Sequence, residues 1–217
     1  MLNILLNSKS NLKEESFFQV LKNYLHPGFK VCVFLFSFFT KSNDEYDDDF
    51  FRDMKDNFRL YGILEEDISF IDFYDWTPQE AIEELQAAQI IFLPGGSPTQ
   101  LYERLKEFKL VDPQLYQNKI IIGSSAGAMV QLDYYHISVD RDYDHYQEHQ
   151  GLGLIKNFKI EVHYKAKFST WIAIRRSYKK FHKPILLMAN GSGIVVDNQR
   201  LTYINKIKKY NPKKYEL

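Results

Sequence analysis

Ser125 is the side chain in this sequence best placed to do chemistry. It stands in Ile120-Ile-Ile-Gly-Ser-Ser-Ala-Gly-Ala128, where an apolar run gives way to Gly123-x-Ser125-x-Gly127. A strand that turns sharply into a helix through such a motif lifts the middle side chain into solvent, and the flanking glycines admit neighbouring backbone. Ala126, Gly127 and Ala128 then open a helix whose first N–H groups lack intrahelical partners and suit an oxyanion. The pattern reads as a nucleophile elbow. A glycine-rich strand-to-helix turn serves equally to bind phosphate or to pack tightly, so the reading depends on its companions.

A serine hydroxyl needs a base, usually a histidine oriented by a third group. Six histidines are available. His26 precedes a proline in a loop, and His136 and His182 sit among aromatic or basic residues without a distinguishing feature. His163 ends the alternating segment Lys159-Ile-Glu-Val and would sit at a sheet rim. His145-Tyr-Gln-Glu148-His149 matches the His-x-x-Glu-His pattern of one zinc metallopeptidase class, with Glu148 as base. Residues 140–150 offer no apolar face for a helix to bury, however, and Gly151 would stop one at once. The expectation is therefore a solvated polar loop and no metal. Asp133, Asp140, Asp142, Asp144 and Glu148 all lie between Ser125 and His163, and any of them could orient the ring if the order were Ser, acid, His.

The other half of an oxyanion hole should come from backbone beside the elbow. Phe92-Leu-Pro-Gly95-Gly96-Ser-Pro-Thr-Gln100 follows an apolar strand and enters a helix, so the Gly96 and Ala126 N–H groups are the candidate donors. Two glycines would serve a plain β–α turn as well. No Gly-x-Gly-x-x-Gly and no Gly-Lys-Ser/Thr follows, which argues against a nucleotide loop.

These residues need a scaffold, and the apolar pattern supplies one. Short apolar runs alternate with longer amphipathic stretches, the signature of a parallel sheet covered by helices. Strands are expected at 2–6, 30–39, 68–74, 89–93 and 119–123, with helices at 14–25, 44–61, 78–88 and 98–108 between them. Thr77 and Ser97 each precede a proline and read as N-caps. Beyond the elbow, a strand is expected at 158–164, a helix at 170–181, and strands at 184–188 and 193–196 joined by an Asn190-Gly191 turn. The sequence thus predicts one α/β domain over residues 1–217, with a mostly parallel sheet and helices on both faces. In such a sheet the elbow and the Gly95-Gly96 loop share the carboxyl edge, where ligands bind.

Composition narrows the function classes. Lys plus Arg equals Asp plus Glu at 28 each among 217 residues, so no global field draws the protein to nucleic acid or an anionic membrane. The basic stretch 206–214 lacks the aromatic spacing that stacks bases and is expected to be a solvated end. Cys32 is the only cysteine, which excludes a disulfide framework and a cysteine-based zinc site. The longest apolar run, Val31 to Phe39, is at most about half of the ~20 residues a bilayer span needs. Met1 to Ser10 carries no secretory signal pattern, so a cytoplasmic protein with no membrane partner is expected.

Taken together, Pro-Gly95-Gly96-x-x-x-Gln100-Leu101, Gly123-x-Ser125-Ala126-Gly127-Ala128, Gly151-Leu-Gly-Leu154 followed by His163, and the final Asn-Gly-Ser-Gly-Ile segment resemble the dipeptidase E (aspartyl dipeptidase) and cyanophycinase family of serine peptidases, across about residues 2 to 205. The resemblance implies a class I glutamine amidotransferase-like fold, no cofactor, and hydrolysis of short peptides, typically with an aspartate at the amino side of the scissile bond. It implies Ser125 as nucleophile, His163 as base, and Gly96 and Ala126 as oxyanion donors. Arg175 and Arg176 fall where a basic residue would grip the substrate carboxylate, and the protein would be a monomer or homodimer. The family's orienting acid follows the histidine, and the matching position here is Asn190. An amide can hold the ring but cannot stabilise an imidazolium by charge, a change worth about ten-thousand-fold in one serine triad. The resemblance therefore leaves two expectations: a serine peptidase, or a weakened or inactive relative that binds a peptide or amino acid.

Overall fold

A computed structural model of the chain describes residues 1–38 and 48–212. Strands β1 (Leu2–Leu6), β2 (Val31–Phe34), β3 (Ile68–Ile71), β4 (Ile90–Leu93) and β5 (Ile120–Ser124) alternate with helices α1 (Glu15–Leu21), α2 (Asp48–Arg59), α3 (Pro78–Ala87) and α4 (Pro98–Glu107). Helix α5 (Ala126–Val130) leaves β5 directly. The rest comprises β6 (Tyr134–Ile137), β7 (Gln147–Gln150), β8 (Lys159–Glu161), α6 (Phe168–Phe181), β9 (Ile185–Met188), β10 (Gly193–Asp197), β11 (Arg200–Ile204) and β12 (Ile207–Tyr210). Among the described residues, no helix is long and apolar enough to cross a membrane.

The main sheet has seven strands in the order β11-β10-β1-β5-β4-β2-β3. Strands β1 to β5 pair in parallel, and β10 and β11 add antiparallel pairings at one edge. Side chains alternate faces along a strand, so a sheet covered twice needs apolar residues at every position. Ile4, Val33, Phe92 and Ile122 accordingly pack on one face with Phe17 and Leu21 of α1 and Met54 and Phe58 of α2. Leu5, Cys32, Ile91 and Ile121 pack on the other with Leu85 of α3, Leu101 and Leu105 of α4, and Ala128 of α5. The expected α/β class with helices on both faces is what the chain adopts. Burial pushes the Cys32 thiol well above its ordinary value, as befits a core residue.

Local signals set the helix starts. The Thr77 side chain accepts from Glu80 N–H while Glu80 reaches back to the Thr77 N–H, and Ser97 accepts from Gln100 N–H. Several expectations need correction. The helix expected over 44–61 is seen as Asp48–Arg59, residues 44–47 lying outside the described residues, as does Phe39 of the second expected strand. Asn190-Gly191 does form a tight turn, with Ser192 N–H donating to Ala189 O at 3.1 Å and Gly191 at φ 72°. It does not close a hairpin, because β9 pairs with β8 and β12 in a separate three-stranded sheet while β10 pairs with β1. The stretch 206–214 is not merely a solvated end, since Ile207–Tyr210 pairs with β9; its last two positions fall outside the described residues. The polar stretch 140–150 contributes β7, whose backbone bonds to β6 supply the order its side chains do not.

Candidate active site

Ser125, the Gly95-Gly96 loop, Asn7 and His163 come from the carboxyl edge of β1, β4 and β5 or from the three-stranded sheet. Ser125 holds φ 48° and ψ −102°, a sparsely populated conformation that costs about 1–3 kcal/mol and persists only where surroundings enforce it. They do so here: Ser125 N–H donates to Leu6 O at 2.9 Å, and its carbonyl accepts from Met129 N–H at 3.0 Å. Close approach explains Gly127, where a Cβ would lie 1.9 Å from Leu93 O. Under the elbow, Gln131 Oε1 accepts from Asn3 Nδ2 at 2.9 Å, tying the end of α5 to β1 in a buried position.

His163 approaches from β8. Its φ of 51° breaks the strand, and pairing with β9 resumes at Tyr164, whose N–H donates to Met188 O at 2.9 Å. The kink turns the His163 N–H away from β9 to Asn7 Oδ1, 2.7 Å distant, and brings Nε2 to 2.8 Å from Ser125 Oγ. Asn7 Nδ2 in turn donates to Asn190 Oδ1 at 3.2 Å. Asn190 thus reaches His163 through Asn7 and the backbone, and among the described residues no carboxylate or amide bonds to His163 Nδ1.

The Gly95-Gly96 loop is clamped by Ser37, which donates from Oγ to Gly95 O at 2.6 Å and accepts from Ser97 N–H at 2.8 Å. Gly96 has φ 124°, and a Cβ there would meet Ser37 O at 2.6 Å, so only glycine fits. Neither the Gly96 nor the Ala126 N–H has an acceptor among the described residues. Ser125, His163 and Gly96 line one cavity of about 520 Å³.

Other candidates lie elsewhere. Arg175 and Arg176 line a separate depression with Lys179 and Lys180, and the Arg176 guanidinium stacks 4.5 Å from the Tyr146 ring centroid. The basic side chains that do line the Ser125 cavity are Arg141, Lys165 and Lys167, all exposed. Residues 145–149 form no helix, so the one-face spacing of the zinc pattern is not made: His145 bonds Asp144, and His149 Nε2 lies 2.9 Å from Gln147 Oε1. Burial works to raise the Glu148 carboxyl, but hydrogen bonds from Lys180 and Tyr146 outweigh it and hold it low, away from His163. Asp133 is taken by Lys159 and Lys183, leaving only Asp140 and Asp142 of the five suggested acids in the cavity wall. Asp140 there accepts from the N–H groups of Asp142 and Tyr143.

Three residues at this site escaped sequence reasoning: Asn7, Ser37 and Glu161. Asn7 and Ser37 follow parallel strands at the ligand edge, a place where polar residues warrant scrutiny. Glu161 stands two positions before His163 in an alternating segment, and its carboxylate accepts from Ser138 Oγ at 2.9 Å and lies 2.7 Å from His136 Nε2.

The model of peptidase family S51 matches residues 4–204 of the chain. The fold is similar to that of a protein from Listeria monocytogenes EGD-e assigned as a peptidase E, with TM-score 0.63 and 18% identity over 97% of this chain and 98% of that one. It is also similar to a peptidase from an acI-B1 actinobacterium, with TM-score 0.59 and 18% identity over 97% and 87% of the two chains. No curated protein matches the sequence. With the family pattern spanning nearly its whole length and the elbow serine standing in its wall of backbone donors, the chain belongs to peptidase family S51 and is a serine-type peptidase.

Proposed function

We propose that the protein hydrolyses short peptides through a Ser125–His163 dyad. The observation that carries this reading is the 2.8 Å approach of His163 Nε2 to the hydroxyl of a serine held at φ 48°. With Nε2 as acceptor, His163 takes the Ser125 proton as Oγ attacks the scissile carbonyl. The developing oxyanion turns toward the Gly96 and Ala126 N–H groups, whose freedom from other acceptors leaves them available at no reorganisation cost. His163 then hands the proton to the leaving amine, and water repeats the sequence on the acyl-enzyme. Asn7 holds the backbone of His163 and Asn190 braces Asn7, so the ring is positioned from its main chain instead of by a carboxylate.

A fluorophosphonate probe tests this reading. Wild type should label, while Ser125→Ala should not and His163→Ala should label at least about a hundredfold more slowly. Labelling that persists in Ser125→Ala would sink the nucleophile. The second reading, a relative that binds peptides without turnover, is favoured by the bare His163 Nδ1, and a wild type that stays unlabelled would support it.

A further inference from the structure

Among the charged side chains lining the Ser125 cavity, Glu161 is the buried one, only 7% exposed, whereas Asp140, Arg141, Asp142, Lys165 and Lys167 stand at its exposed rim. A buried charge acts with less screening than exposed ones. The Glu161 carboxylate is fixed by Ser138 and His136. The His136 ring is fully buried and its Nδ1 has no hydrogen-bond partner. Ser138 Oγ and His136 Nε2 both meet Glu161 Oε2, and among the described residues no hydrogen bond is made to Oε1. One carboxylate oxygen is thus held in place while the other is left for a further donor.

We propose that Glu161 is the anionic subsite of this cavity, binding a cationic group of the peptide, either the α-ammonium or a lysine or arginine side chain. This rests on the Ser125–His163 reading for which bond is cut, though not for which group is bound. Glu161 lines the same cavity as Ser125 and His163, two residues from His163 in the chain, so in this proposal the cation belongs to a residue near the scissile bond. An aspartate side chain in that position would face a buried like charge, and Arg175 and Arg176 line a different depression.

Four peptides test the subsite: Lys-Ala and norleucyl-Ala, each with a free or an acetylated amino terminus. Wild type should prefer the cationic member of one pair by roughly 10- to 100-fold in kcat/KM, the range of a charge-assisted hydrogen bond. Preference in the lysine/norleucine pair identifies the side chain, and preference in the free/acetylated pair identifies the α-ammonium. In Glu161→Gln, which keeps an acceptor for His136 and Ser138, the ratio should fall to near unity. An unchanged ratio, or no preference in wild type, overturns the proposal. Calorimetric titration of Ser125→Ala with the same peptides reads binding without turnover. Cation-dependent affinity there, with an inert wild type, would separate failure of the dyad from failure of the subsite. Equal affinities, or no binding of any of the four, would overturn the subsite.

Discussion

Positioning the proposed base, His163, by its main chain has consequences at single residues. Asn7 is buried, and its amide spans two partners: it accepts from the His163 N–H and donates to Asn190. Replacing it with leucine strands the His163 N–H and frees the kink, so Asn7→Leu should lower kcat by about tenfold or more while KM moves little, a split that steady-state kinetics reads directly. Asn190→Asp probes the opposite expectation. A carboxylate there would still accept from Asn7 Nδ2 and would still be one residue removed from the imidazole. Turnover should therefore change by less than about tenfold, far from the ten-thousand-fold span between acid and amide in a directly bonded triad. A large gain would mean that residue 190 reaches the ring in the working enzyme. The elbow around Ser125 and the strand end at His163 were legible because they are local features. The Asn7 bridge joins positions 156 and 183 residues apart, and no local pattern encodes such a meeting.

At the scale of elements, the elbow depends on how closely β4 and α5 approach. Gly127 N–H donates to Pro94 O at 3.2 Å, and its Cα lies against Leu93. In Gly127→Ala the new methyl would overlap the Leu93 carbonyl, and backbone cannot swing aside as a side chain can. The variant should lose about 3 kcal/mol or more in urea unfolding and lose activity with it, because α5 carries the Ala126 N–H proposed to hold the oxyanion. Retained stability would mean that α5 can shift without harm. The five parallel strands were legible because both faces are covered, which makes each one an apolar run between capped helices. Strands β6, β7, β11 and β12 were not, since Gln147–Gln150 and Ile207–Tyr210 carry polar or basic side chains outward and owe their form to cross-strand partners. For the same reason the Asn190-Gly191 turn was legible and the partners of the strands it joins were not: a turn is chosen by its own residues, but the pairing of its strands is decided by what else lies beside them.

Across the whole molecule, His163 belongs to a subassembly that must stay registered against the sheet carrying Ser125. Strands β8, β9 and β12 with helix α6 enclose a small core of Ile174, Tyr178, Ile185 and Leu187. One charged clamp fastens it: Asp133, just beyond α5, takes Lys159 of β8 and Lys183 ahead of β9, each at 2.5 Å. The Lys159 side chain is fully buried, with its ammonium 4.5 Å from the Phe181 ring centroid. Burial works to raise the Asp133 carboxyl, yet hydrogen bonds from Lys159 and Lys183 outweigh it and hold it below its ordinary value of 3.8. A carboxyl depressed by folding contributes stability that is fully present above roughly pH 5 and is lost as pH falls through the folded value. Thermal unfolding followed from pH 7 down to about pH 3 should therefore drop for the wild type more steeply below pH 4 than for Asp133→Asn, which has no charge to lose. The variant should already be weaker at neutral pH by about 3 kcal/mol, since Lys159 is left buried without its counter-charge. Parallel profiles would show that the clamp does not couple the two parts. Diverging profiles would show that this ion pair couples the sheet carrying His163 to the helix that leaves Ser125.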